Sequence, residues 1–391
     1  MLKKWGMTCV LVVFLTGCFS TSPEEDQVIE ETDQHEQEQV VEVVPQIITP
    51  DNYYQSVLYD GSYLHGESRG FGNAVVHNRL DLGQLEIGLT RIAQEYFDQE
   101  KYFFREGQFI KRNTLNSWLM RYDEEDNPLG LNPALGEGGT MREREESQPR
   151  YISHILEHNY LVEGDNGQLN LGGIVIGLSM NSIYNFRVVE DNGGFNYYEL
   201  PIPDDVIERE GQKIADEILT RLRSEEIEDG SFEDIPIVFA LFQEQPRESV
   251  IPGHFIARAK AEPRNNLDRW QRINERYYLF PSNEANQEAR NEADQFQRFK
   301  DDIQAFFDTF VGVVGKGYYV DNQIQELQIE IPLRFQGKAE IVALSQYVAS
   351  QIQQRFQGNY KVSVTVTSVS GNTESIVVQN PNDEPFIHVF N

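Results

Sequence analysis

The chain has 391 residues, of which 63 are acidic and 33 basic, and a formal net charge of −30. That surplus repels nucleic acid and anionic lipid alike, so a nucleic-acid partner and a polybasic membrane patch are both excluded. A hydrophobic content of 39% is enough for proper cores, and the length suits about two domains.

The N-terminus carries the sharpest signal. Lys3 and Lys4 precede an apolar run over residues 7–15 that closes on Leu15-Thr16-Gly17-Cys18. The cations hold the start of the chain on the cytoplasmic side, and the run has signal-peptide length rather than spanning length. Small Thr16 and Gly17 leave room for a peptidase beside Cys18. This order reads as a bacterial lipoprotein signal over residues 1–17, with Leu15, Thr16 and Gly17 as the recognition residues and Cys18 as the lipidated residue. A plain secretory signal or membrane helix that happens to contain a cysteine is the competing reading.

Two acyl chains on Cys18 would hold the mature protein stably on the bilayer. The expected location is therefore the extracytoplasmic face of the cell membrane, and the expected partners are the bilayer and the lipoprotein-processing enzymes. Cys9 leaves with the signal and Cys18 is consumed by lipid, so no disulfide forms within the body. Loss of Lys3 and Lys4 takes the net charge from −30 to −32.

Residues 18–50 read as a tether. The stretch 24–42 holds nine carboxylates and no Lys or Arg, and self-repulsion keeps such a segment extended. Val40, Val41, Val43 and Val44 interrupt it and read as linker, with a short strand as the alternative. Pro45 and Pro50 mark the entry to the folded part.

Two modules are expected to follow, over residues 51–262 and 263–391. The first opens with a helix after Asn78-Arg79-Leu80-Asp81, on which Leu82, Leu85, Leu89, Ile92 and Tyr96 share a face; Asp81 and Gln84 are placed as a capping box. Tyr102, Phe103 and Phe104 read as a core anchor, with a surface aromatic patch as the alternative. Residues 173–180 form a strand. Ile207, Ile214, Ile218 and Leu222 mark a helix, and strands return at 235–242 and 254–261.

The same order recurs towards the C-terminus. Ile329, Ile331, Leu333 and Phe335 alternate as a strand, Ile341, Leu344, Val348, Ile352 and Phe356 form a helix face, and Tyr360, Val362, Val364 and Val366 alternate again. Further strands lie at 376–378 and 386–390. Both units read strand, helix, strand, strand, which makes the fold α+β: two related modules with antiparallel sheets and additional helices. Between them a long polar helix over 284–310 carries the stripe Phe296, Phe299, Ile303, Phe306 and Phe310, and residues 264–276 carry the crossover.

One motif points to catalysis. His154-Ile155-Leu156-Glu157-His158 matches the H-x-x-E-H pattern of inverted zinc peptidases, in which two histidines one helical turn apart bind zinc and Glu157 activates water. No third ligand is indicated by spacing, so the default is a partly exposed helix end carrying two histidines. Gly136-Glu137-Gly138-Gly139 reads as a loop, and no G-x-S-x-G elbow, P-loop or dinucleotide fingerprint occurs. The expectation is a non-enzymatic body without cofactor. In the alternative reading Tyr53, Tyr54 and the 102–104 aromatics line a groove for a peptide or glycan.

The lipidation signal, the acidic tether, Asn78-Arg79-Leu80-Asp81, Tyr102-Phe103-Phe104-Arg105-Glu106-Gly107-Gln108, Gly130-Leu131-Asn132-Pro133 and the two repeats together resemble the CamS family of Gram-positive lipoproteins, known as sex-pheromone precursors. The resemblance covers nearly the whole chain. It implies that the peptide before the lipidated cysteine is released and trimmed into a short pheromone. Here that peptide is Leu11-Val12-Val13-Phe14-Leu15-Thr16-Gly17, and the competing reading is an inert signal fragment.

Overall fold

The computed structural model describes residues 41–44, 53–70, 78–79, 81–165, 167–189, 193–224, 232–307, 311–334 and 337–391. The chain enters through a small antiparallel ribbon of β1 (Val41–Val43), β2 (Val57–Tyr59) and β3 (Ser62–Tyr63). Asp60 and Gly61 turn it with positive φ (49° and 73°), as a two-residue hairpin loop requires. Val41 and Val43 are thus in a paired strand rather than linker, Val41 facing Tyr59 and Val43 facing Val57, while Val40 lies outside the described residues. Alternating apolar residues in an otherwise charged run have a partner within reach, and pairing wins.

The first sheet follows from α1 (Leu82–Ala93), β4 (Tyr102–Glu106), α2 (Arg112–Leu119), α3 (Met141–Ser147), β5 (Ile152–Glu163), β6 (Leu169–Met180), β7 (Ile183–Val189), β8 (Phe195–Pro201), α4 (Asp204–Arg223), β9 (Ile237–Gln243), β10 (His254–Ala261) and β11 (Gln271–Arg272). The second comes from β12 (Glu275–Phe280), α5 (Asn283–Glu288), α6 (Arg290–Ala305), β13 (Val314–Val320), β14 (Gln323–Leu333), α7 (Lys338–Arg355), β15 (Lys361–Ser368), β16 (Thr373–Gln379) and β17 (Phe386–Val389).

The strand orders are β4-β5-β6-β9-β10-β11 and β12-β13-β14-β15-β16-β17, so the two sheets superpose strand for strand in topology. The fold is α+β with an internal repeat. The repeat is longer than strand, helix, strand, strand: each unit also begins with an edge strand, helical segments and a further strand, and the β7–β8 hairpin is inserted only in the first. Each sheet is antiparallel except at one joint. β6 and β9 run parallel with α4 between them in sequence, as do β14 and β15 with α7 between them. A helix that carries the chain back across the sheet returns it in the same direction. Because β11 pairs with β10, sheet membership changes between Arg272 and Glu275 rather than at residue 263.

Packing explains the sequence patterns. The first sheet is covered on both faces: Leu85, Leu89 and Ile92 of α1 meet Val175, Val238 and Phe242, while Trp118 of α2 and Ile218 of α4 meet Ile176 and Phe239 on the other side. Its central strands therefore read as continuous apolar runs. At β14 and β15 the second sheet is covered on one face, where Phe296, Phe299, Leu344 and Val348 pack on Ile329, Ile331, Val364 and Val366; at β12 and β13 the other face is closed as well, by Tyr277 and Tyr318 against α1. β14 and β15 alternate cleanly as a result, with Gln328, Glu330, Ser363 and Thr365 on the open face.

Two helices depart from expectation. α1 ends at Ala93, so Tyr96 lies beyond it, and Asp81 makes no capping bond. Asp81 is taken instead by Arg79 Nε (2.8 Å) and the Gly253 N–H (3.0 Å), and Gln84 Oε1 accepts from Tyr277 Oη. The long polar helix is two helices, broken at Ala289 (φ −132°, ψ 47°). Phe296, Phe299 and Ile303 keep the stripe, whereas Phe306 is past the end and 36% exposed; Phe310 and Phe335 lie outside the described residues.

Candidate functional site

The His154, Glu157 and His158 motif lies on β5, not on a helix. Residues 152–163 are nearly all buried and pair with β4 and β6 on either side, so a run of helical spacing is a two-faced central strand. Strand geometry then separates the motif: His154, Leu156, His158 and Tyr160 point to the α1 side, and Ile155, Glu157 and Asn159 point to the opposite side. The Glu is not aimed at the histidines, which removes the geometry of an inverted zinc peptidase. Among the described residues no group of three His, Cys, Asp or Glu side chains is placed to hold a metal.

Each member of the motif has a structural role. The Glu157 carboxylate accepts the backbone N–H groups of Gln108 (3.2 Å), Phe109 (3.2 Å) and Ile110 (2.7 Å), and also Asn159 Nδ2 (2.6 Å). It anchors the segment that leads into α2. Burial pushes its carboxyl up, and the four donors oppose that rise. The His158 ring stands edge-on to Phe104, 5.0 Å between centroids. Burial lowers His154 to about 4 and His158 to about 3, so both rings are neutral at pH 7.

The other motifs are also clasps. Arg79 Nη1 donates to the Ser249 carbonyl and Asn78 Nδ2 to Asn181 Oδ1 and the Ile183 carbonyl, which fixes the start of α1 to two distant loops. Fully buried Asn132 donates to the Leu119 and Ile152 carbonyls and accepts from Tyr151 and Ile152 N–H. Gly107 is required by close approach, since a Cβ there would fall 2.5 Å from that of Glu157. Tyr102, Phe103 and Phe104 sit half-buried on β4, Tyr102 against Phe97 and Phe104 against Tyr160. Tyr54 is buried, its hydroxyl donating to the Phe97 carbonyl (2.6 Å), while Tyr53 is exposed; these five residues do not line a common groove.

Two polar features carry no sequence motif. Glu244, fully buried, accepts the hydroxyls of Ser153 (2.5 Å) and Ser179 (2.8 Å), and burial raises its carboxyl to about 7. No spacing rule flags it, because its partners Ser153 and Ser179 lie on two other strands, β5 and β6. Along α4 run two open depressions of about 570 and 800 Å³, the first lined by Asp216, Thr220, Arg223 and Asn266 and the second by Glu208, Gln212, Arg269, Trp270, Gln271 and Arg272.

The lipidation residue Cys18, the recognition residues Leu15, Thr16 and Gly17, and the rest of the Leu11 to Gly17 peptide lie outside the described residues, as does Leu80. The model of the family described as CamS sex pheromone cAM373 precursor matches residues 63–385. A sex pheromone precursor from Lactobacillus salivarius is similar in structure, with a TM-score of 0.80 and 29% identity over 90% of this chain and 99% of that one. The C-terminal domain of the staph-cAM373 sex pheromone precursor from Staphylococcus aureus is also similar, with a TM-score of 0.66 and 31% identity over 79% of this chain and 96% of that one. No curated protein matches. A family match over most of the length, a shared fold and the motif residues in clasping positions lead to one conclusion: the chain belongs to the CamS family of sex pheromone precursors.

Proposed function

We propose that the protein is a non-enzymatic lipoprotein held on the extracytoplasmic face of the cell membrane by acyl chains on Cys18, and that cleavage before Cys18 frees Leu11-Val12-Val13-Phe14-Leu15-Thr16-Gly17 as a short apolar pheromone. The observation that carries the reading is the order Lys3-Lys4, apolar run, Leu15-Thr16-Gly17-Cys18 at the head of a chain of the pheromone-precursor family. The heptapeptide is uncharged in its side chains, as a membrane-permeant signal requires. Among the described residues no helix is long and apolar enough to cross a membrane, and two acyl chains supply the attachment instead. The strand placement of His154, Glu157 and His158 supports the non-enzymatic part.

The test has two parts. Mass spectrometry of culture supernatant is expected to find a peptide ending at Gly17, and the synthetic heptapeptide is expected to induce conjugative plasmid transfer in responder cells at nanomolar concentration. A fragment with another C-terminus, or a heptapeptide without inducing activity, contradicts the pheromone assignment.

A further inference from the structure

The two depressions beside α4 form one track. Glu208, Gln212, Asp216, Thr220 and Arg223 succeed one another about one helical turn apart, so they share a side of the helix. Facing them is the strip 266–272, running the other way: Asn266 stands by Asp216 and Thr220, and Arg269 to Arg272 stand by Glu208 and Gln212. From Glu208 to Ser224 the track is about 24 Å long, at about 1.5 Å per residue. That length suits a chain rather than a small molecule.

The two linings hold Arg223, Arg269 and Arg272 against Glu208 and Asp216, within a chain of net charge −30. Arg272 Nη2 is engaged by Glu208 Oε2 (2.8 Å) and Arg264 by Asp234. Arg269 is exposed and, among the described residues, has neither hydrogen bond nor ion pair. A guanidinium left open on a surface that otherwise repels anions is suited to a carboxylate or phosphate. Around it are the indole of Trp270, half-buried against the first core, and the amides of Gln212 and Gln271. An indole face takes the C–H face of a sugar ring, and planar amides match its vicinal hydroxyls. The lining has no row of apolar sockets such as peptide side chains use.

We infer that the α4 track binds a linear anionic glycan, with Arg269 on its charged groups and Trp270 under a sugar ring. This goes beyond the proposed lipoprotein function and does not depend on it.

The test is calorimetric titration of the purified mature chain with two probes, hexagalacturonate for carboxylates and glucosylated poly(glycerol phosphate) for phosphodiesters, beside maltohexaose and poly-glutamate. Micromolar binding of one or both anionic glycans is expected, at least tenfold tighter than maltohexaose, and the stronger probe identifies the anion. Arg269→Glu, at an exposed position outside both cores, is expected to weaken that binding tenfold or more with the thermal unfolding midpoint unchanged. The inference is overturned if neither anionic glycan binds at millimolar concentration, if Arg269→Glu binds as the parent does, or if poly-glutamate binds as tightly as the glycans.

Discussion

The guanidinium of Arg91 on α1 lies over the ring of Tyr318 on β13, 4.5 Å from its centroid, and so joins the first module to the second. Tyr318 Oη donates to Glu275 Oε1 (2.6 Å), Arg91 stands 4.0 Å from the same oxygen, and Glu275 Oε2 accepts the Phe255 N–H of β10 (2.9 Å). One buried carboxylate thus gathers donors from both sheets. Arg91→Ala leaves it short of a cation, with an expected loss of about 1–3 kcal/mol in chemical denaturation. Because Tyr318→Phe removes a bond in the same cluster, the double variant is expected to lose less than the sum of the two.

Glu157→Ala strands the N–H groups of Phe109 and Ile110, while Gln108 N–H keeps Asn159 Oδ1 (3.1 Å). The expected cost is about 2 kcal/mol or more, since each unpaired buried donor costs about 1–3 kcal/mol. Limited proteolysis is expected to cut this variant first at residues 108–112. A wild-type cleavage pattern would deny the anchoring role.

Glu244 sets a pH dependence of known sign. Its carboxyl titrates at about 7 in the folded chain against 4.5 as a free side chain, so its stabilisation is present below pH 4.5 and is lost as pH rises to 7. Glu244→Gln keeps an acceptor for Ser153 and Ser179 but cannot ionise. Relative to the parent it is expected to gain about 3 kcal/mol between pH 4.5 and 7, at about 1.4 kcal/mol per pH unit. Denaturation curves at both pH values check this.

His158 works in the opposite direction. Its folded value of about 3 lies below the free value of 6.5, so the unfolded chain takes up protons that the folded one refuses, and stability falls as pH drops below 6.5. His158→Leu is expected to flatten that acid limb by up to about 1.4 kcal/mol per pH unit, whatever its effect at pH 8. Parallel acid limbs for parent and variant would show that His158 does not titrate there.

The repeat was legible because β14 and β15 of the second sheet have one wet face, so Ile329, Ile331 and Leu333 alternate visibly, as do Val362, Val364 and Val366. β5 was not legible as a strand. A strand covered on both faces loses its period of two, and residues 154 and 158 then satisfy a helical spacing by accident. Asp81 stands at the N-cap position of α1 as its spacing indicates, but its carboxylate goes to Arg79 and to Gly253, 172 residues away, instead of closing the cap. Conversely, Thr140-Met141-Arg142-Glu143 is a capping-box sequence that forms the box in full at the start of α3, a signal present in the sequence and not read from it. The α4 track and Glu244 need three-dimensional neighbours, and no spacing along the chain announces them.

Anchoring and peptide release both turn on Cys18, and the intact mass of the membrane-extracted mature protein tests this directly. The expected species begins at Cys18, lacks residues 1–17 and carries a diacylglyceryl group, and Cys18→Ala is expected to carry no diacylglyceryl group and to keep residues 1–17 attached. A chain that keeps residues 1–17, or one that begins elsewhere with a free Cys18 thiol, would contradict both the anchor and the released peptide.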